Sequence, residues 1–513
     1  MDSTTIIYAI VALQFFLIIA AYDIHMFQLN SYRYSRYFRW LVPGNIVSLK
    51  RAMAFGMLIA IFIPENIAAI SITLFAFIYS IKEKFKTPLV YTKRVNRLFV
   101  TNTILFIAIE VIAVLFAGKW AEAVIGTTLL LSNILMLVAN IINTPIERAI
   151  NRHYYNDAKR IIASNKNLII IGVTGSFGKT STKNYLAGVL AEKYNVLVTP
   201  GNFNTLLGVI RTIREQLRPY HQVFIVEMGA KQKNDIKERC DLVHPTIGIV
   251  TAVGEMHLET FKSIENIQDT KFELINSLPT NGLGIINNDS KYINEYKGIT
   301  SECKLIRYAV ESKADYNATD VQYGANGVSF KLNGGEQFNT RLLGVGNLLN
   351  ILASIAVADH LGIPANKQRN AIARLQPVEH RLSMKVANGI TVLDDAYNSN
   401  PQGAKMALEV LKNFAIGKEN KRIVITPGFV EMGAKQFEAN RELGKTIAKS
   451  CDYAIVVNAT NREAIKQGID EGGMGTDKCF LADSLNLAHA HLAQILKAGD
   501  VVLYENDLPD NFK

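Results

Sequence analysis

A glycine-rich segment between an apolar run and a helix-like stretch contains the residues best suited to chemistry in this chain. It reads IIIGVTGSFGKTSTKNYLAGVL over residues 169–190. Glycines in such a loop let several backbone N–H groups approach a polyphosphate, and the positive end of the following helix dipole adds to the attraction. Lys179 can then reach the β- and γ-phosphates, and the hydroxyl of Thr180 can bind Mg²⁺. The predicted nucleotide-binding set is Gly172, Gly175, Gly178, Lys179, Thr180 and Ser181.

The match to the phosphate-loop pattern G-x-x-x-x-G-K-[ST] fails at one position, because Val173 occupies the place of its first glycine. A short GKT match alone can arise by chance or from a plain turn. The apolar run before the loop reads as a strand, and the segment after it reads as a helix. This context favours nucleotide binding over the plain turn.

Two further polar residues follow predicted strands. Glu227 ends the run VFIVE, and His257 comes directly after IGIVTAVGEM. In an open α/β sheet, ligands bind at the carboxyl ends of the strands, so we expect both side chains to reach a metal ion beside the triphosphate. Taken singly, each residue would more often be a surface acid or a histidine with an ordinary structural partner.

The elements that must hold these residues alternate between short β-branched runs and helix-like segments after residue 166. This alternation predicts an α/β fold with a mostly parallel sheet, followed by a smaller Rossmann-like domain. A polar, Gly/Asn-rich stretch at 312–343 predicts a β-appendage on the first of these domains. The predicted strands are Leu168–Val173, Val196–Thr199, Val223–Glu227, Ile247–Val253 and Gly284–Asn287 in the first domain, and Thr391–Leu393, Arg422–Thr426, Tyr453–Val457 and Val501–Tyr504 in the second.

The first quarter of the chain is apolar in a different way. Four apolar regions precede residue 145, and a membrane-spanning helix needs about 20 apolar residues. The second region is too long for one span and is interrupted at Pro64, so it predicts either one kinked helix or a hairpin of two short segments. The chain is therefore expected to have four or five spans. The regions are Thr4–Tyr22, Met53–Ile81, Leu98–Ala117 and Ala123–Ile142.

Charge favours the hairpin and sets the predicted orientation. The chain has 55 Lys+Arg against 45 Asp+Glu, and basic residues cluster after the first and second apolar regions. By the positive-inside rule both clusters are cytoplasmic, which leaves the N-terminus outside and everything after Ile142 inside. The first region lacks the basic start and the cleavage site of a signal peptide. We therefore expect a multi-pass membrane protein with cytoplasmic catalytic domains and membrane lipid around its spans.

Two further sequence features lie in or beside the predicted spans. Glu110 lies within the third apolar region, where a carboxylate is costly unless it is paired or faces a cavity, and its role is undecided. The segment YRYSRYFRW at 32–40 has the basic and aromatic composition of a nucleic-acid patch. Beside a membrane span, an interfacial amphipathic segment is the better interpretation, so no nucleic-acid partner is expected.

Several motifs in the soluble part, taken together, resemble those of the Mur ligases. They occur in order as GVTGSFGKTSTK, TPGNFNTLLG, VEMGA, TAVGEMHLETF with DTKFEL, GVGNLLNILAS, EHR and DDAYNSNPQGAKMAL. The resemblance covers about residues 167–505 and is nearest to the enzymes that add D-alanyl-D-alanine to the cell-wall precursor. It implies an ATP-binding central domain and a Rossmann-like C-terminal domain. The predicted division is 1–144 transmembrane, 145–166 linker, 167–376 central domain and 377–513 C-terminal domain.

The resemblance implies ATP-dependent amide formation through an acyl phosphate, with ATP and two Mg²⁺ ions as cofactors. Matched positions assign Lys179 to the phosphates and Thr180 and Glu227 to the first Mg²⁺. They assign Glu227, His257 and Lys271 to the second, with Lys271 carbamylated by CO₂, although Lys271 could equally be an ordinary surface lysine. Asn202 and Asn204 match a turn near the reacting groups, with Asn202 among the catalytic residues. The remaining matches are Asn347 and Asn350 toward adenine, and Arg381, Asp395, Tyr397 and Asn398 toward the nucleotide.

Two departures leave the substrates open. The family's soluble N-terminal domain, which grips the UDP part of the substrate, has no counterpart here, and apolar spans occupy its place. This favours a polyprenyl-linked acceptor, whereas the motif match favours a UDP-linked one. At the other end, the family's KGSR is replaced by the run VVLYENDLPDNF, so the amine, an amino acid or a dipeptide, is undecided.

The leading interpretation is thus a membrane-anchored Mur-type amide ligase acting on a cell-envelope precursor. The alternative is a nucleotide-gated membrane protein in which the ATPase fold regulates the spans. Glu227, His257 and Lys271 are more than nucleotide sensing requires, which favours the ligase.

Overall fold

The computed structural model describes residues 3–41, 87–201, 203–397 and 400–508. Packing divides the chain into two compact units, one ending at His153 and the other running from Tyr154 to Leu508. The predicted apolar region Met53–Ile81, with its choice between a kinked helix and a hairpin, lies outside the described residues.

The described part of the first unit is helical. Two of its helices, over Thr5–Leu29 and Lys93–Phe116, are long and apolar enough to cross a membrane. They pack against each other through stacked rings of Phe16 and Phe106, whose centroids lie 4.0 Å apart. The helices are α1 (Ser3–Leu29), α2 (Tyr34–Leu41), α3 (Lys93–Phe116), α4 (Ala121–Leu130) and α5 (Ser132–Ser164), the last of which continues into the second unit.

The predicted fourth span and the predicted linker both need correction. A bend of 73° separates α4 from α5, so Ala123–Ile142 is not one straight helix. Helix α5 then continues through Pro145 to Ser164, so most of the predicted linker 145–166 is helical. Its polar composition hides an apolar face at helical spacing, which packs against the core of the second unit. That face contains Tyr154, Ala158, Ile161 and Ile162.

The larger sheet of the second unit has the strand order β2-β3-β1-β4-β5-β6-β7-β8-β9 in the described residues. Strands β1 to β7 pair in parallel, and β8 and β9 add an antiparallel hairpin that confirms the predicted β-appendage. The strands are β1 (Ile169–Thr174), β2 (Val196–Val198), β3 (Val223–Glu227), β4 (Ile247–Val250), β5 (Leu283–Asn287), β6 (Lys304–Ala309), β7 (Tyr316–Gly324), β8 (Gly327–Leu332) and β9 (Gln337–Thr340).

Helices cover both faces of this sheet, as continuous apolar strands require. On one face, Leu186 and Ile351 belong to helices that pack on Ile171 and Ile249. On the other face, Phe272 packs near Phe224. The helices of this domain are α6 (Lys179–Leu190), α7 (Leu206–Gln216), α8 (Asp235–Val243), α9 (Leu258–Phe261), α10 (Ile264–Asn276), α11 (Lys291–Asn294), α12 (Gly344–His360) and α13 (Ala365–Arg374).

The second sheet forms the smaller, Rossmann-like domain, with the strand order β10-β11-β15-β12-β13-β14. Only its edge pair, β10 with β11, is antiparallel among the described strands. The strands are β10 (Ser383–Ala387), β11 (Ile390–Asp395), β12 (Arg422–Thr426), β13 (Tyr453–Val457), β14 (Cys479–Ala482) and β15 (Val501–Glu505), and the helices are α14 (Pro401–Lys412), α15 (Gln436–Ser450), α16 (Arg462–Glu471) and α17 (Leu485–Ile495).

Candidate active site

The phosphate loop lies between β1 and α6, where the sequence predicted it. Two of its glycines have no room for a side chain. A Cβ on Gly178, whose φ is +80°, would lie 2.7 Å from the Asn350 side-chain oxygen, and a Cβ on Gly175 would lie 2.1 Å from the Thr251 hydroxyl. Gly172 lies earlier, in β1, where a Cβ would overlap Leu274. The glycines therefore allow close packing of the loop and its strand, as the motif predicts.

The Lys179 ammonium lies over this loop. It donates hydrogen bonds to the carbonyl oxygens of Gly175, at 2.8 Å, and of Ser176, at 3.1 Å. Burial lowers the pKa of Lys179 to about 8, the Glu227 carboxylate opposes this shift, and the Arg381 guanidinium adds to it. A polyphosphate bound in the loop would stabilise the charged form of this lysine. Next to Lys179, Thr180 is partly exposed in the first turn of α6, and Ser181 is buried.

Glu227 ends β3 directly beside the loop strand, since it pairs in register with Val173 of β1. Its carboxylate is almost fully buried and lies 3.1 Å from the Lys183 ammonium, which is equally buried. Asn204 donates to the other carboxylate oxygen at 3.0 Å. Burial acts to raise the pKa of Glu227, but the charges of Lys183 and Lys179 outweigh it, so the pKa lies below its usual value. Glu227 is therefore an anion at neutral pH.

Lys183 is a site residue that the sequence prediction missed. Its ammonium also donates to the carbonyl oxygens of Thr199, at 2.8 Å, and of Gly201, at 2.6 Å. The signal for it was present in GKTSTK, because Lys183 follows Lys179 by four residues on the same helix and so faces the same side.

His257 lies at the start of the short helix α9 with a left-handed backbone, φ +53°. Its Nδ1 contacts the carboxylate of Glu431, a residue of the C-terminal domain that the sequence prediction did not include. Burial lowers the pKa of His257 below its usual value, although Glu431 opposes the shift. The imidazole is thus available in the neutral form that binds metal ions.

Lys271 is buried in α10 with 4% of its surface exposed. Burial, followed by the charges of Lys179 and Arg239, lowers the pKa of Lys271 well below its usual value. Within the part of the chain that the structure describes, its ammonium makes no hydrogen bond and no ion pair. With only 4% of its surface exposed, Lys271 is not a surface lysine, so that alternative is wrong.

These groups are close enough to one another for their charges to interact. Lys179 shifts the pKa of both Glu227 and Lys271, and Lys271 shifts that of His257. Among the described residues, no three His, Cys, Asp or Glu side chains lie together in a way that could hold a metal ion by themselves. The predicted ligands Glu227, His257 and Thr180 therefore do not form a complete metal site by themselves.

Asn347 and Asn350 lie on α12 and are nearly buried. The Asn350 side-chain oxygen accepts from the Thr182 hydroxyl at 3.0 Å, and that of Asn347 accepts from the Tyr185 hydroxyl at 2.9 Å. Both residues therefore hold α6 against α12 through hydrogen bonds to its side chains. The predicted residues Asn202 and Asn398 lie outside the described residues.

Among the predicted residues of the C-terminal domain, Arg381 lies close to the phosphate loop, since its charge acts on Lys179. The Arg381 guanidinium lies 4.2 Å from the ring centroid of Tyr397. Asp395 accepts from the Leu382 N–H at 3.0 Å. Burial raises the pKa of Asp395 to about 6, and Arg381 opposes this shift. Where KGSR would follow the last strand, β15 instead ends at Glu505, which pairs in register with Asp395.

A cavity of about 960 Å³ lies between the two domains of the second unit, next to this site. Asn287 at its wall donates to the Thr251 carbonyl oxygen at 3.0 Å, and the Thr251 hydroxyl in turn bonds the Phe177 carbonyl oxygen of the phosphate loop. The volume lies within the range of small-molecule sites in proteins. Residues from both domains line the cavity, among them Asn287, Gly344, Val345, Leu349, Gln402 and Met406.

Comparison with known proteins agrees with this geometry. Residues 173–358 match the Mur ligase middle domain, and residues 380–504 match the glutamate ligase domain of Mur ligases. Over 357 residues the chain is 31% identical to the UDP-N-acetylmuramoyl-tripeptide–D-alanyl-D-alanine ligase of Mycobacterium bovis, covering 66% of this chain and 70% of that protein.

Two further relatives set the extent of the likeness. The corresponding ligase of Bacillus subtilis is 30% identical over 282 residues, which is 54% of this chain, and the chain spans 60% of that relative's length. The structure of the MurF ligase of Thermotoga maritima in complex with ADP superimposes with a TM-score of 0.62 at 26% identity, covering 69% of this chain and 80% of that one. The chain therefore belongs to the Mur ligase family, a family of ATP-dependent amide ligases.

Proposed function

We propose that the protein is an ATP- and Mg²⁺-dependent amide ligase that joins an amine to the carboxylate of a cell-wall precursor. The observation behind this proposal is a group of electrostatically coupled side chains beside the phosphate loop. Neighbouring charges shift the pKa values of Lys179, Glu227, His257 and Lys271. A simple nucleotide sensor has no need of a buried anion, a neutral imidazole and a buried lysine around one triphosphate. Amide formation by way of an acyl phosphate does need such a set.

In the proposed reaction, a carboxylate oxygen of the precursor forms a bond to the γ-phosphorus of ATP, and ADP leaves with the electrons of the broken P–O bond. The amine nitrogen then attacks the acyl carbon, phosphate leaves, and the nitrogen loses a proton. A carboxylate and a triphosphate repel each other, so positive charge must lie between them. The Lys179 ammonium supplies part of it from the loop. Mg²⁺, when bound, supplies the rest by neutralising phosphate oxygens.

The residues that would hold the first Mg²⁺ are Thr180 and Glu227, and those for the second are Glu227, His257 and a carbamylated Lys271. Lys183 and Asn204 keep the Glu227 carboxylate fixed and ionised, the form in which it would bind Mg²⁺. An ammonium cannot bind a cation. An uncharged Lys271 amine can attack CO₂ and lose a proton to give a carbamate, whose anionic oxygens can.

The Lys271 assignment predicts chemical rescue. Lys271→Ala should lower acceptor-dependent phosphate release at least about 100-fold, because the site loses anionic oxygens near its metal ions. Short carboxylates such as acetate or propionate should restore part of the rate by filling the gap with similar oxygens. Lys262→Ala, at a lysine in the loop before α10, serves as the control. Full activity of Lys271→Ala in CO₂-free buffer would contradict the carbamate.

The cavity lined by Asn287 and Met406 is the proposed place of the adenosine. It adjoins the phosphate loop through Thr251, so one ligand can span both. Asn347 and Asn350 then support the nucleotide indirectly, by bracing α6, rather than by touching the base. Arg381, Asp395, Tyr397 and Asn398 are proposed to meet the nucleotide from the C-terminal domain, and Asn202 to lie near the reacting groups.

Two observations bear on the substrates, and they favour different acceptors. The relatives' names specify a UDP-linked muramoyl tripeptide and D-alanyl-D-alanine. The apolar helices α1 and α3 favour a membrane-anchored enzyme instead, with its catalytic domains in the cytoplasm and a polyprenyl-linked acceptor at the membrane surface. The run after β15 differs from KGSR, so an amino acid or another dipeptide is also a candidate amine.

Membrane attachment has its own test. We expect the full chain to stay in the membrane fraction after extraction with alkaline carbonate, because α1 and α3 have the length and composition of spans. We also expect the soluble domains to resist protease added outside intact cells. Release of the chain by carbonate would contradict the anchor without touching the ligase proposal.

A further inference from the structure

One heptapeptide, VEMGAKQ, occurs twice in the chain, at 226–232 and again at 430–436. The first copy contains Glu227 at the end of β3. The second copy follows β12 in the C-terminal domain and leads through a short 3₁₀ turn, Gly433–Lys435, into α15. Both copies reach His257, since Lys231 of the first affects its pKa and Glu431 of the second contacts its ring.

The second copy makes three polar contacts with the loop that contains His257. The Glu431 carboxylate contacts His257 Nδ1. The Glu431 carbonyl oxygen accepts from the Glu259 N–H at 3.3 Å. The Lys435 ammonium lies 2.6 Å from the Glu255 carboxylate. Every one of these contacts joins the C-terminal domain to the segment 255–259 of the middle domain.

The backbone at this contact is unusual on both sides. His257 has φ +53° and Glu431 has φ +62°, and neither is a glycine. A left-handed conformation costs an ordinary residue about 1 kcal/mol or more, so it persists only where the surrounding structure demands it. Here it turns the two side chains toward each other. Both remain mostly shielded from solvent, with about one fifth of each side chain exposed.

We propose that Glu431 is a positioning residue for His257. The inference rests on the proposed function, in which His257 binds Mg²⁺. A carboxylate at Nδ1 holds the ring proton there, and Nε2, on the other side of the ring from Glu431, is then the atom whose lone pair would bind Mg²⁺. Because Glu431 belongs to the C-terminal domain, this histidine becomes a fixed metal ligand only when the two domains are in contact.

The alternative is that the contact does no more than hold the domains together, and Lys435 provides the matched comparison. Lys435 lies in the same heptapeptide and joins the same loop, but through Glu255. Lys435→Ala removes a domain contact and leaves the His257 ring alone. Glu431→Ala removes the carboxylate at the ring, and Glu431→Gln keeps an oxygen that can accept from Nδ1–H without the charge.

The first test uses metal binding, so it does not depend on ligase activity. Mn²⁺ is titrated into the full detergent-purified protein with a non-hydrolysable ATP analogue, and free Mn²⁺ is followed by electron paramagnetic resonance. We expect two ions on the wild type. Glu431→Ala should weaken one of them about 10- to 100-fold, as loss of a carboxylate behind a histidine ligand does. Glu431→Gln should weaken it less, and Lys435→Ala less than about twofold.

The second test is kinetic. At saturating ATP, the free Mg²⁺ needed for half-maximal phosphate release should rise in the same order of variants, with the KM for ATP changed less than about twofold. Equal weakening in Lys435→Ala and Glu431→Ala, or wild-type metal binding in Glu431→Ala, would overturn the positioning role. A wild type that binds two Mn²⁺ ions but releases phosphate regardless of any acceptor would overturn the ligase proposal alone. Thermal unfolding of each variant, with Glu431→Gln as the conservative one, separates these results from loss of fold.

Discussion

The two domains that meet at the site build their sides of it differently, and the repeated heptapeptide makes the difference plain. In the middle domain, Glu227 is 1% exposed, ends a central strand and is paired with Lys183 and Asn204. In the C-terminal domain, Glu431 has the same six neighbours in sequence but a left-handed backbone and a partly exposed side chain. Its contact in the site is a residue of the other domain.

This contrast indicates that local sequence did not decide what these two glutamates do. A parallel strand buried on both faces fixes the first, because its neighbours β1 and β2 hold the backbone in register. The second depends on contact between two domains. The middle domain thus forms a prearranged side of the proposed site, and the C-terminal domain supplies groups that depend on contact between the two domains.

The largest effect should come from breaking the buried pair on the middle-domain side. Lys183→Met leaves Glu227 buried without its cation, which typically costs about 3–5 kcal/mol of unfolding free energy. Measured by thermal and denaturant unfolding, the double variant Lys183→Met with Glu227→Gln should regain much of that loss. The matched control is Lys237→Met, whose exposed pair with Asp241 is worth less than about 1 kcal/mol. Equal effects of the two lysines would contradict a prearranged middle domain.

A smaller effect, confined to activity, is expected at the loop. Lys179→Met should lower phosphate release about 100- to 1,000-fold with little change in stability, because its charge acts on the phosphates rather than on the fold. Lys193→Met is the matched control. That lysine also donates to two carbonyl oxygens, but it is exposed and lies three residues after the C-terminal end of α6. A loss below about tenfold at Lys179 would mean that the loop is not the phosphate site.

The smallest effect concerns the C-terminal side and depends on pH. Asp395 has a raised pKa of about 6 in the folded protein, so folding favours its protonated form. Its stabilising contribution is full below about pH 4, the ordinary pKa of aspartate, and is lost as the pH rises to 6. Asp395→Asn should therefore gain stability over the wild type at pH 7 relative to pH 4 in unfolding measurements, by no more than about 3 kcal/mol, the free energy that corresponds to a pKa raised from about 4 to about 6.

The sequence predicted the fold best where strands are apolar on both faces. The predicted bounds of β3, β12 and β13 agree with the structure residue for residue. Strand β6 was not predicted, because Lys304 and Arg307 interrupt its apolar pattern near the edge of the parallel part of the sheet. The helix over 145–164 was missed because its apolar face is visible only once its partner surface is known.

The site residues also differ in how far the sequence predicts them. Lys179 and Thr180 follow from the phosphate-loop motif, and Glu227 and His257 from their positions after strands. Lys183 could have been predicted from helical spacing, because it follows Lys179 by four residues on α6. Glu431 could not, since its contact joins residues 174 positions apart in different domains. The repeated VEMGAKQ was the one sequence signal that pointed to it, and that signal alone gives no partner.

The most direct test of the account is phosphate release from ATP by the full detergent-purified protein, with UDP-linked and polyprenyl-linked muramoyl peptides offered separately against a panel of amino acids and dipeptides. We expect release that requires both an acid and an amine and is lost in Lys179→Met and Lys271→Ala. The acceptor that supports it would identify the carrier. ATP turnover indifferent to every acceptor and amine would contradict the ligase and favour a protein in which the nucleotide regulates the membrane helices.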